Sequence, residues 1–277
     1  MDRLLLMDGN PLDRQQTAVA GGSRSPGMVY EDMLVNLFPD MQVDRVNAAE
    51  PGDVLPANTA LADYDGLVIA GSSLHAYDGT PEITRQIDLA RAFGETGKPV
   101  LGSCWGLQIA VLAAGGDIRR CDKGRELIFS RDIALTAEGR AHFLFTGKPD
   151  SFDAPCIHLD EVSVLPDGAV VLASNDHSHV QAATFTMGKS IFSGVQYHPE
   201  FDLRHLADLV HLYADMMNEE HFDSDAERVA YHDKLRALSA RPSDGELADA
   251  LAVDAWILED RKRGAEVINW VGHYRSA

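Results

Sequence analysis

The chain has 277 residues, 45% of them hydrophobic, and a formal net charge of −19 at pH 7. This length allows one large domain with an appendage, and the acidic balance argues against nucleic-acid backbones and anionic membranes as partners. The three cysteines show no closely spaced, even pattern, which predicts free thiols in a reducing, cytoplasmic compartment. The apolar run at residues 4–7 is too short for a signal peptide, and no run approaches the ~18 residues that span a bilayer.

Short apolar runs alternate with helical patterns in the first half of the chain. Strands are predicted at residues 3–7, 41–46, 67–70 and 100–101, and helices at residues 30–38, 81–93 and 107–114. The polar residues 8–27 predict a long loop. Strands that alternate with helices form a parallel sheet covered on both faces. We therefore expect an α/β, flavodoxin-like fold with a mostly parallel, doubly wound sheet, whose ligands bind at the carboxyl ends of the strands.

A cysteine lies between the fourth predicted strand and the helix that follows it. Cys104 is flanked by Gly102 and Gly106, the small neighbours that a tight strand-to-helix turn requires. A thiol at a helix N-terminus ionises more easily than a free cysteine, because the helix dipole favours negative charge there. The pattern predicts a nucleophile elbow, provided that a base and an orienting acid occur elsewhere in the chain. The alternative is a cysteine that only packs in the core.

The pattern changes after residue 126. Short strand-like runs separated by turns occur at residues 127–129, 169–172, 180–185 and 190–195, which predicts an antiparallel or mixed extension of the sheet. The last run leads into His198 and Glu200, separated by a proline. We expect His198 to be extended, because a residue before proline avoids the helical region, and Glu200 to share its face and orient its imidazole. Taken alone, such a pair is also explained by coincidence at a strand end.

Two strings of residues together resemble the class I, triad-type glutamine amidotransferase family: GSCWGLQ at residues 102–108 and GVQYHPE at residues 194–200. The strings HLDEV at residues 158–162 and LPDG at residues 165–168 resemble a segment of its GMP-synthetase-like branch. The resemblance covers residues 1–217. It implies that Cys104 is the nucleophile, His198 the general base and then acid, and Glu200 the orienting acid.

The resemblance also implies an oxyanion hole and a substrate pocket. The oxyanion hole is expected from backbone N–H groups of Gly71, Ser72 and Trp105, and the pocket from Gln108, Ser73 and Tyr77. The loop at Gly71 lacks the Gly-Gly-Pro common in the family, and Trp105 replaces smaller or tyrosine-like residues. If both positions border the γ-glutamyl group, they loosen the preference for free glutamine. The alternative for the Trp105 indole is simple packing beside the elbow.

The residues after 217 have a different character and divide the chain into two predicted regions. Residues 1–217 form the class I glutamine amidotransferase domain, and residues 218–277 form a C-terminal helical extension. Helical patterns there include Trp256 and Trp270. The helices either cover the main domain or form a docking surface, such as that of a homodimer.

The sequence thus predicts an enzyme that hydrolyses the γ-amide of glutamine or of a γ-glutamyl conjugate through a thioester on Cys104. Within this class, it either supplies ammonia to a separate synthetase or transferase subunit, or hydrolyses γ-glutamyl amides of small amines alone. An acyltransferase of the homoserine type is the alternative of another class. No phosphate-binding GxxxxGK[ST] loop occurs, and we expect no cofactor and no metal. Arg14 and Arg24, in the segment after the first strand, are candidates to meet an anionic group of the substrate.

Overall fold

The computed structural model describes residues 1–52 and 55–276. A nine-stranded sheet has the order β2-β1-β3-β4-β11-β10-β9-β6-β7, and β5 and β8 form a separate two-stranded ribbon. The strands are β1 (Arg3–Met7), β2 (Gln42–Val46), β3 (Gly66–Ile69), β4 (Val100–Ser103), β5 (Asp117–Arg120), β6 (Glu126–Leu135), β7 (Ser151–His158), β8 (Asp160–Val164), β9 (Val170–Ser174), β10 (Ala182–Met187) and β11 (Ser190–Val195).

The sheet has a parallel half and an antiparallel half. Strands β2, β1, β3, β4 and β11 pair in parallel. Beyond β11, strands β10, β9, β6 and β7 continue with antiparallel pairing. The predicted α/β, flavodoxin-like sheet with an antiparallel extension is confirmed.

Helices cover both faces of the sheet. They are α1 (Leu12–Ala20), α2 (Pro26–Leu37), α3 (Pro81–Gly94), α4 (Trp105–Ala113), α5 (Ala137–Ala141), α6 (Leu203–Leu212), α7 (Ala214–Glu220), α8 (Asp225–Ala240), α9 (Gly245–Leu251), α10 (Ala255–Leu258), α11 (Asp260–Arg263) and α12 (Ala265–Ser276). Successive residues of a strand point to opposite faces. Leu4 and Leu6 accordingly lie in one core cluster, whereas Leu5 and Met7 lie in another. Burial on both faces explains why β1 is a continuous apolar run.

Some elements differ from the sequence-based expectation. Residues 8–27 are not one long loop, because α1 forms within them as a mostly exposed helix. Strands β5, β7 and β8 were not predicted from periodicity. β5 and β8 are short and carry charged residues, and β7 contains Pro155, which weakens a strand pattern. Among the described residues, no helix has the length and apolar composition needed to cross a membrane.

The C-terminal helices pack against the rest of the chain. Trp270 in α12 is completely buried, and a side-chain carbon added to Gly66 in β3 would lie 2.7 Å from its ring. The buried Glu266 of the same helix pairs with the buried Lys148 and accepts a hydrogen bond from Tyr197. Trp270 is therefore part of the internal core and is unavailable for a dimer interface. Such burial is expected if the C-terminal helices cover the main domain. The boundary predicted at residue 217 falls within α7.

Candidate active site

Cys104 occupies a strained turn between β4 and α4. Its φ of 51° and ψ of −102° lie where residues with a side chain are rarely found. A side-chain carbon at Gly102 would lie 2.7 Å from the backbone of Gly106, and one at Gly106 would lie 2.2 Å from the Ile69 carbonyl oxygen. Both glycines are thus required for the close approach of strand and helix. The backbone has the geometry of a nucleophile elbow, with the thiol at the first turn of α4.

His198 and Glu200 meet in a turn rather than in an extended strand. The His198 Nδ1 atom lies 2.7 Å from Glu200 Oε1, and both side chains are buried. Strand β11 ends at Val195, and the Phe201 N–H donates to the His198 carbonyl oxygen at 3.2 Å. The expected contact is present, but the expected reason was wrong: chain reversal at Pro199, not strand alternation, brings the carboxylate to the imidazole.

The imidazole of His198 is held on several sides. The Phe201 ring lies parallel to it with centroids 3.8 Å apart, and a side-chain carbon at Gly71 would lie 2.9 Å from its Cε1 atom. Burial alone would lower the pKa of His198, but the Glu200 carboxylate and the Cys104 sulfur outweigh it and raise the pKa to about 10. Since Nδ1 faces Glu200, Nε2 is the nitrogen available to Cys104.

The carboxylate of Glu200 retains one free oxygen. Its Oε1 atom also accepts a hydrogen bond from the Ser103 hydroxyl at 3.0 Å, whereas Oε2 has no partner among the described residues. Ser103 immediately precedes Cys104 in β4. This bond ties the orienting acid to the strand that carries the thiol.

The loop after β3 carries two of the three residues expected in the oxyanion hole, Gly71 and Ser72. Asn10 holds this loop, because its side-chain oxygen accepts hydrogen bonds from the Ser72 hydroxyl at 3.0 Å and from the Ser73 N–H at 2.9 Å. Within the described chain, the N–H groups of Gly71 and Ser72 are not used in hydrogen bonds. They are available to a ligand beside His198. Asn10 was not singled out from the sequence, although it follows β1 at the carboxyl edge of the sheet.

The side chain of Trp105 points away from the cavity beside Cys104. Its ring is 1% exposed and belongs to a core cluster, and its Nε1–H donates to Gln86 at 2.8 Å. The expectation that this indole borders the γ-glutamyl group was wrong, because the first turn of α4 directs it toward α3. The indole instead packs in the core beside the elbow, which is the alternative given by the sequence analysis. The backbone N–H of Trp105 remains in the first helical turn, where N–H groups have no acceptor within the helix.

The three residues predicted for the substrate pocket differ in their surroundings. Gln108 is buried, lines the cavity and donates to the Asp160 carbonyl oxygen at 3.2 Å. Ser73 also lines the cavity. Tyr77 does not line it: its side chain is 42% exposed and stacks on His75, which does.

The two arginines proposed for an anionic group are not equivalent. Arg24 pairs with Asp32 and Asp202, so its charge is already balanced. Arg14 lines the cavity and donates to the Ser73 carbonyl and hydroxyl oxygens at 2.9 and 2.8 Å. Among the described residues, Arg14 has no carboxylate partner. It is therefore the better placed of the two to meet an anion.

A cavity of about 290 Å³ opens in front of Cys104 and His198. One part of its wall comes from the β7–β8 junction, residues 157–160, together with Gln108. Another part comes from Phe201, from α6 and from the start of α7. The lining residues of this second part include His205, Leu209, Leu212, Tyr213 and Met216. The cavity suits a small molecule.

A second buried cluster lies in the antiparallel half of the sheet. Glu126, Cys156 and His158 bring ligand atoms within 4.8 Å of one another. The Glu126 carboxylate is occupied by hydrogen bonds from five side chains: Ser130, Cys156, His158, Asn175 and Gln181. Burial and the nearby Glu126 charge raise the pKa of Cys156 well above its usual value, which keeps the thiol protonated. In this donor set the carboxylate and both ring nitrogens of His158 already have hydrogen-bond partners within the protein, so it is a hydrogen-bonded network.

The model of the glutamine amidotransferase class-I family matches residues 32–210. The chain belongs to this family. The family predicted from the motifs is confirmed, and so is the predicted enzyme class, cysteine-dependent hydrolysis of the γ-amide of glutamine or a γ-glutamyl conjugate.

Relatives of this amidotransferase include both a hydrolase and one component of a synthase. A γ-glutamyl-L-1-hydroxyisopropylamide hydrolase from Pseudomonas sp. is 33% identical over 98% of this chain and 92% of its own length. One subunit of a glutamine-hydrolysing GMP synthase from Methanococcus maripaludis is 33% identical over 58% of this chain and 80% of its own length. A crystal structure of a glutamine amidotransferase from Thermotoga maritima has a TM-score of 0.68 at 16% identity, with 100% of this chain and 99% of that chain covered. This last likeness concerns the fold alone.

Proposed function

We propose that this amidotransferase-family enzyme is a stand-alone hydrolase of γ-glutamyl amides of small amines. The observation that carries the proposal is the strained Cys104 beside the buried His198–Glu200 pair, at the mouth of a small cavity. Its volume of about 290 Å³ lies at the lower end of the range for small-molecule pockets. A γ-glutamyl group with a small amine fits a cavity of this size.

In the first half of the reaction, the Cys104 thiolate attacks the γ-carbonyl carbon. The negative charge that develops on the carbonyl oxygen is received by the N–H groups of Gly71, Ser72 and Trp105, and one such donor is typically worth about 3–4 kcal/mol of the barrier. His198 gives its Nε2 proton to the amine nitrogen. The carbon–nitrogen bond then breaks, which leaves a γ-glutamyl thioester and a free amine.

In the second half, His198 accepts a proton from water as the water oxygen attacks the thioester carbon. The carbon–sulfur bond breaks, glutamate leaves and the thiolate returns. Glu200 keeps the imidazole oriented through Nδ1 in both steps, and its charge stabilises the imidazolium.

The extent of the two relatives supports a hydrolase that works alone. The similarity to the Pseudomonas γ-glutamyl-L-1-hydroxyisopropylamide hydrolase spans 98% of this chain, so it includes the C-terminal helices. The similarity to the GMP synthase component spans only 58%. That component supports the second candidate function, in which the chain supplies ammonia to a separate synthetase. The three free cysteines support a cytoplasmic location.

The experiment is to incubate the purified protein alone with glutamine and with γ-glutamyl isopropylamide, and to follow glutamate release. We expect the alkyl amide to be hydrolysed with the higher kcat/KM, and Cys104→Ala to abolish release from both. Release from glutamine alone, and only after addition of a second protein, would instead support ammonia supply. Acyl transfer from an acyl-CoA to homoserine would support the acyltransferase alternative.

A further inference from the structure

The segment that follows β1 lies directly against the loop after β3. A side-chain carbon at Gly9 would lie 2.5 Å from the Gly71 carbonyl oxygen and 2.9 Å from the Ser72 Cβ atom. Glycine is therefore required at this position for the close approach of the two segments. The next residue, Asn10, is 4% exposed and lines the cavity. This segment thus contacts the loop whose Gly71 and Ser72 N–H groups are available to a ligand.

The side chain of Asn10 binds this loop through three hydrogen bonds. Its Oδ1 atom accepts from the Ser72 hydroxyl at 3.0 Å, from the Ser73 N–H at 2.9 Å and from the Ser73 hydroxyl at 3.1 Å. The Ser72 hydroxyl in turn accepts a hydrogen bond from the Leu74 N–H at 3.2 Å. One side chain therefore holds the loop immediately after the two available N–H groups.

Asn10 is itself held by three other parts of the chain. Its N–H donates to the completely buried Asp8 at 3.1 Å, and its carbonyl oxygen accepts from the Gln15 side chain in α1 at 2.7 Å. Gln15 also donates to the Asn47 side chain, which follows β2, at 2.6 Å. These bonds fix Asn10 relative to the carboxyl ends of β1 and β2. A residue fixed in this way can hold another group in one place.

The same segment also contacts the nucleophile elbow. A side-chain carbon at Gly9 would lie 2.6 Å from the Cδ1 atom of the Trp105 ring. The Gly9 carbonyl oxygen accepts a hydrogen bond from Gln86 at 3.1 Å, and Gln86 accepts the bond from the Trp105 indole. The segment therefore lies between the loop after β3 and the start of α4. Its position sets the distance between the N–H groups of the loop and the elbow that carries the thiol.

We propose that Asn10 is a positioning residue that holds the loop after β3 at the distance from Cys104 that the transition state requires. It acts through the N–H groups of Gly71 and Ser72 and does not touch the reacting atoms. Donors of an oxyanion hole act over a narrow range of distances, so a small shift of the loop slows the reaction. This inference rests on the proposed function, in which these N–H groups receive the oxyanion.

The test compares two reactions of the same thiol. Hydrolysis of γ-glutamyl isopropylamide forms an oxyanion. Alkylation by iodoacetamide does not, because a carbon–sulfur bond forms as the carbon–iodine bond breaks and iodide leaves. We expect Asn10→Ala to lower kcat for the amide by about 10- to 100-fold and to leave KM nearly unchanged. The rate of Cys104 alkylation, followed by mass spectrometry, should stay at the wild-type value.

A second variant removes one of the three bonds from the side of the loop. Ser72→Ala keeps the Ser72 N–H but loses the hydroxyl that donates to Asn10, and should lower kcat by about three- to tenfold. Because both substitutions remove the same bond, the double variant should lose less than the product of the two single losses. The matched control is Asn36→Ala at an exposed position in α2, which should leave both reactions at the wild-type rates.

Melting temperatures show which variants are folded, and Ser72→Ala provides the reading if Asn10→Ala is not. Wild-type kcat in a folded Asn10→Ala protein, or a loss of alkylation that matches the loss of kcat, would overturn this proposal and leave the hydrolase function intact. So would single losses that multiply in the double variant. Failure of the wild type to hydrolyse the amide would overturn the proposed function itself, and the role of Asn10 would then be read from the same variants with glutamine.

Discussion

Two buried histidine–glutamate pairs lie in the part of the chain that the structure describes, and in one of them a ring nitrogen remains available to Cys104. His198 and Glu200 are 2.7 Å apart at the carboxyl edge of the parallel strands. His158 and Glu126 are 2.9 Å apart in the antiparallel half. By residue type, burial and distance, the two pairs are nearly the same.

The pairs differ in how completely they are satisfied. Both ring nitrogens of His158 are occupied, by Glu126 and by the Asp160 carbonyl oxygen, and the Glu126 carboxylate receives five hydrogen bonds. In the other pair, only one nitrogen of His198 is fixed, and one oxygen of Glu200 has no partner among the described residues. We call a pair closed when its polar side-chain atoms all have hydrogen-bond partners, and open when a ring nitrogen of the histidine is free. A closed pair stabilises the fold, whereas an open pair can transfer a proton.

The largest expected effect comes from removing the thiol beside the open pair. Cys104→Ala should lower kcat/KM for γ-glutamyl amides by about 10⁴-fold or more, because the covalent route is lost. Cys156→Ala, beside the closed pair, is the matched control and should remain active. Glutamate release by the two purified proteins decides the matter, and an active Cys104→Ala enzyme would refute the assigned nucleophile.

The second largest effect is expected for Glu200→Gln. This change should lower kcat by roughly 10²- to 10⁴-fold, since the imidazole loses its orienting charge. The pH profile gives a sharper reading. Because the Glu200 carboxylate helps to raise the pKa of His198 to about 10, the wild-type imidazole keeps its proton up to that pH. Without the carboxylate this pKa falls, and the alkaline limb of kcat/KM should move to lower pH. If the alkaline limb of kcat/KM stayed at the wild-type pH, the Glu200 carboxylate would not be what raises the pKa of His198.

The corresponding change in the closed pair should affect stability. Glu126→Gln removes the charge from a buried network in which Asn175 and Gln181 also donate to the carboxylate, and should destabilise the fold by about 3 kcal/mol. Urea unfolding measures this loss. A Glu126→Gln protein with wild-type stability would show that the network is dispensable.

The pH dependence of that loss has a definite sign. Burial raises the pKa of Glu126, but the hydrogen bond and charge of His158 outweigh it and lower the pKa to about 2, against a usual value of 4.5. A group with a depressed folded-state pKa stabilises the fold above its unfolded pKa and loses this contribution as pH falls through the folded value. The stability gap between wild type and Glu126→Gln should therefore narrow between about pH 4.5 and pH 2.

The smallest expected effect is at Trp105, next to the nucleophile. Trp105→Phe removes the hydrogen bond to Gln86 and should lower the free energy of unfolding by about 1 kcal/mol. Substrate preference should stay unchanged, because the indole lies outside the cavity. Competition between glutamine and an alkyl amide, followed by product analysis, checks this. A marked change in preference would show that the elbow transmits the packing of Trp105 to the substrate.

Local patterns predicted the elements that carry the strongest periodicity. The elbow at Cys104 is local, since it needs only a buried strand, two glycines and a helix, all contiguous in sequence. The contact of His198 with Glu200 was also predictable, because only Pro199 separates them in sequence, whichever turn joins them. α1 escaped detection because few of its residues are buried.

Other features depend on tertiary contacts that one sequence does not display. The direction of the Trp105 indole depends on Gln86 in a neighbouring helix, so residue type alone left both alternatives open. The distinction between His158 and His198 depends on Glu126 and Cys104, each of which lies far from its histidine in the sequence.

The confinement of the His198 ring has a consequence for the motions that accompany turnover. Phe201 lies parallel against the imidazole, Gly71 closes on its Cε1 atom and Glu200 holds Nδ1. A ring held in this way has little freedom to swing between a proton donor and a proton acceptor. The sulfur, the departing nitrogen and the incoming water must instead take turns within reach of one stationary Nε2 atom. Ligand rearrangement, rather than side-chain rotation, then sets the order of events in the catalytic cycle.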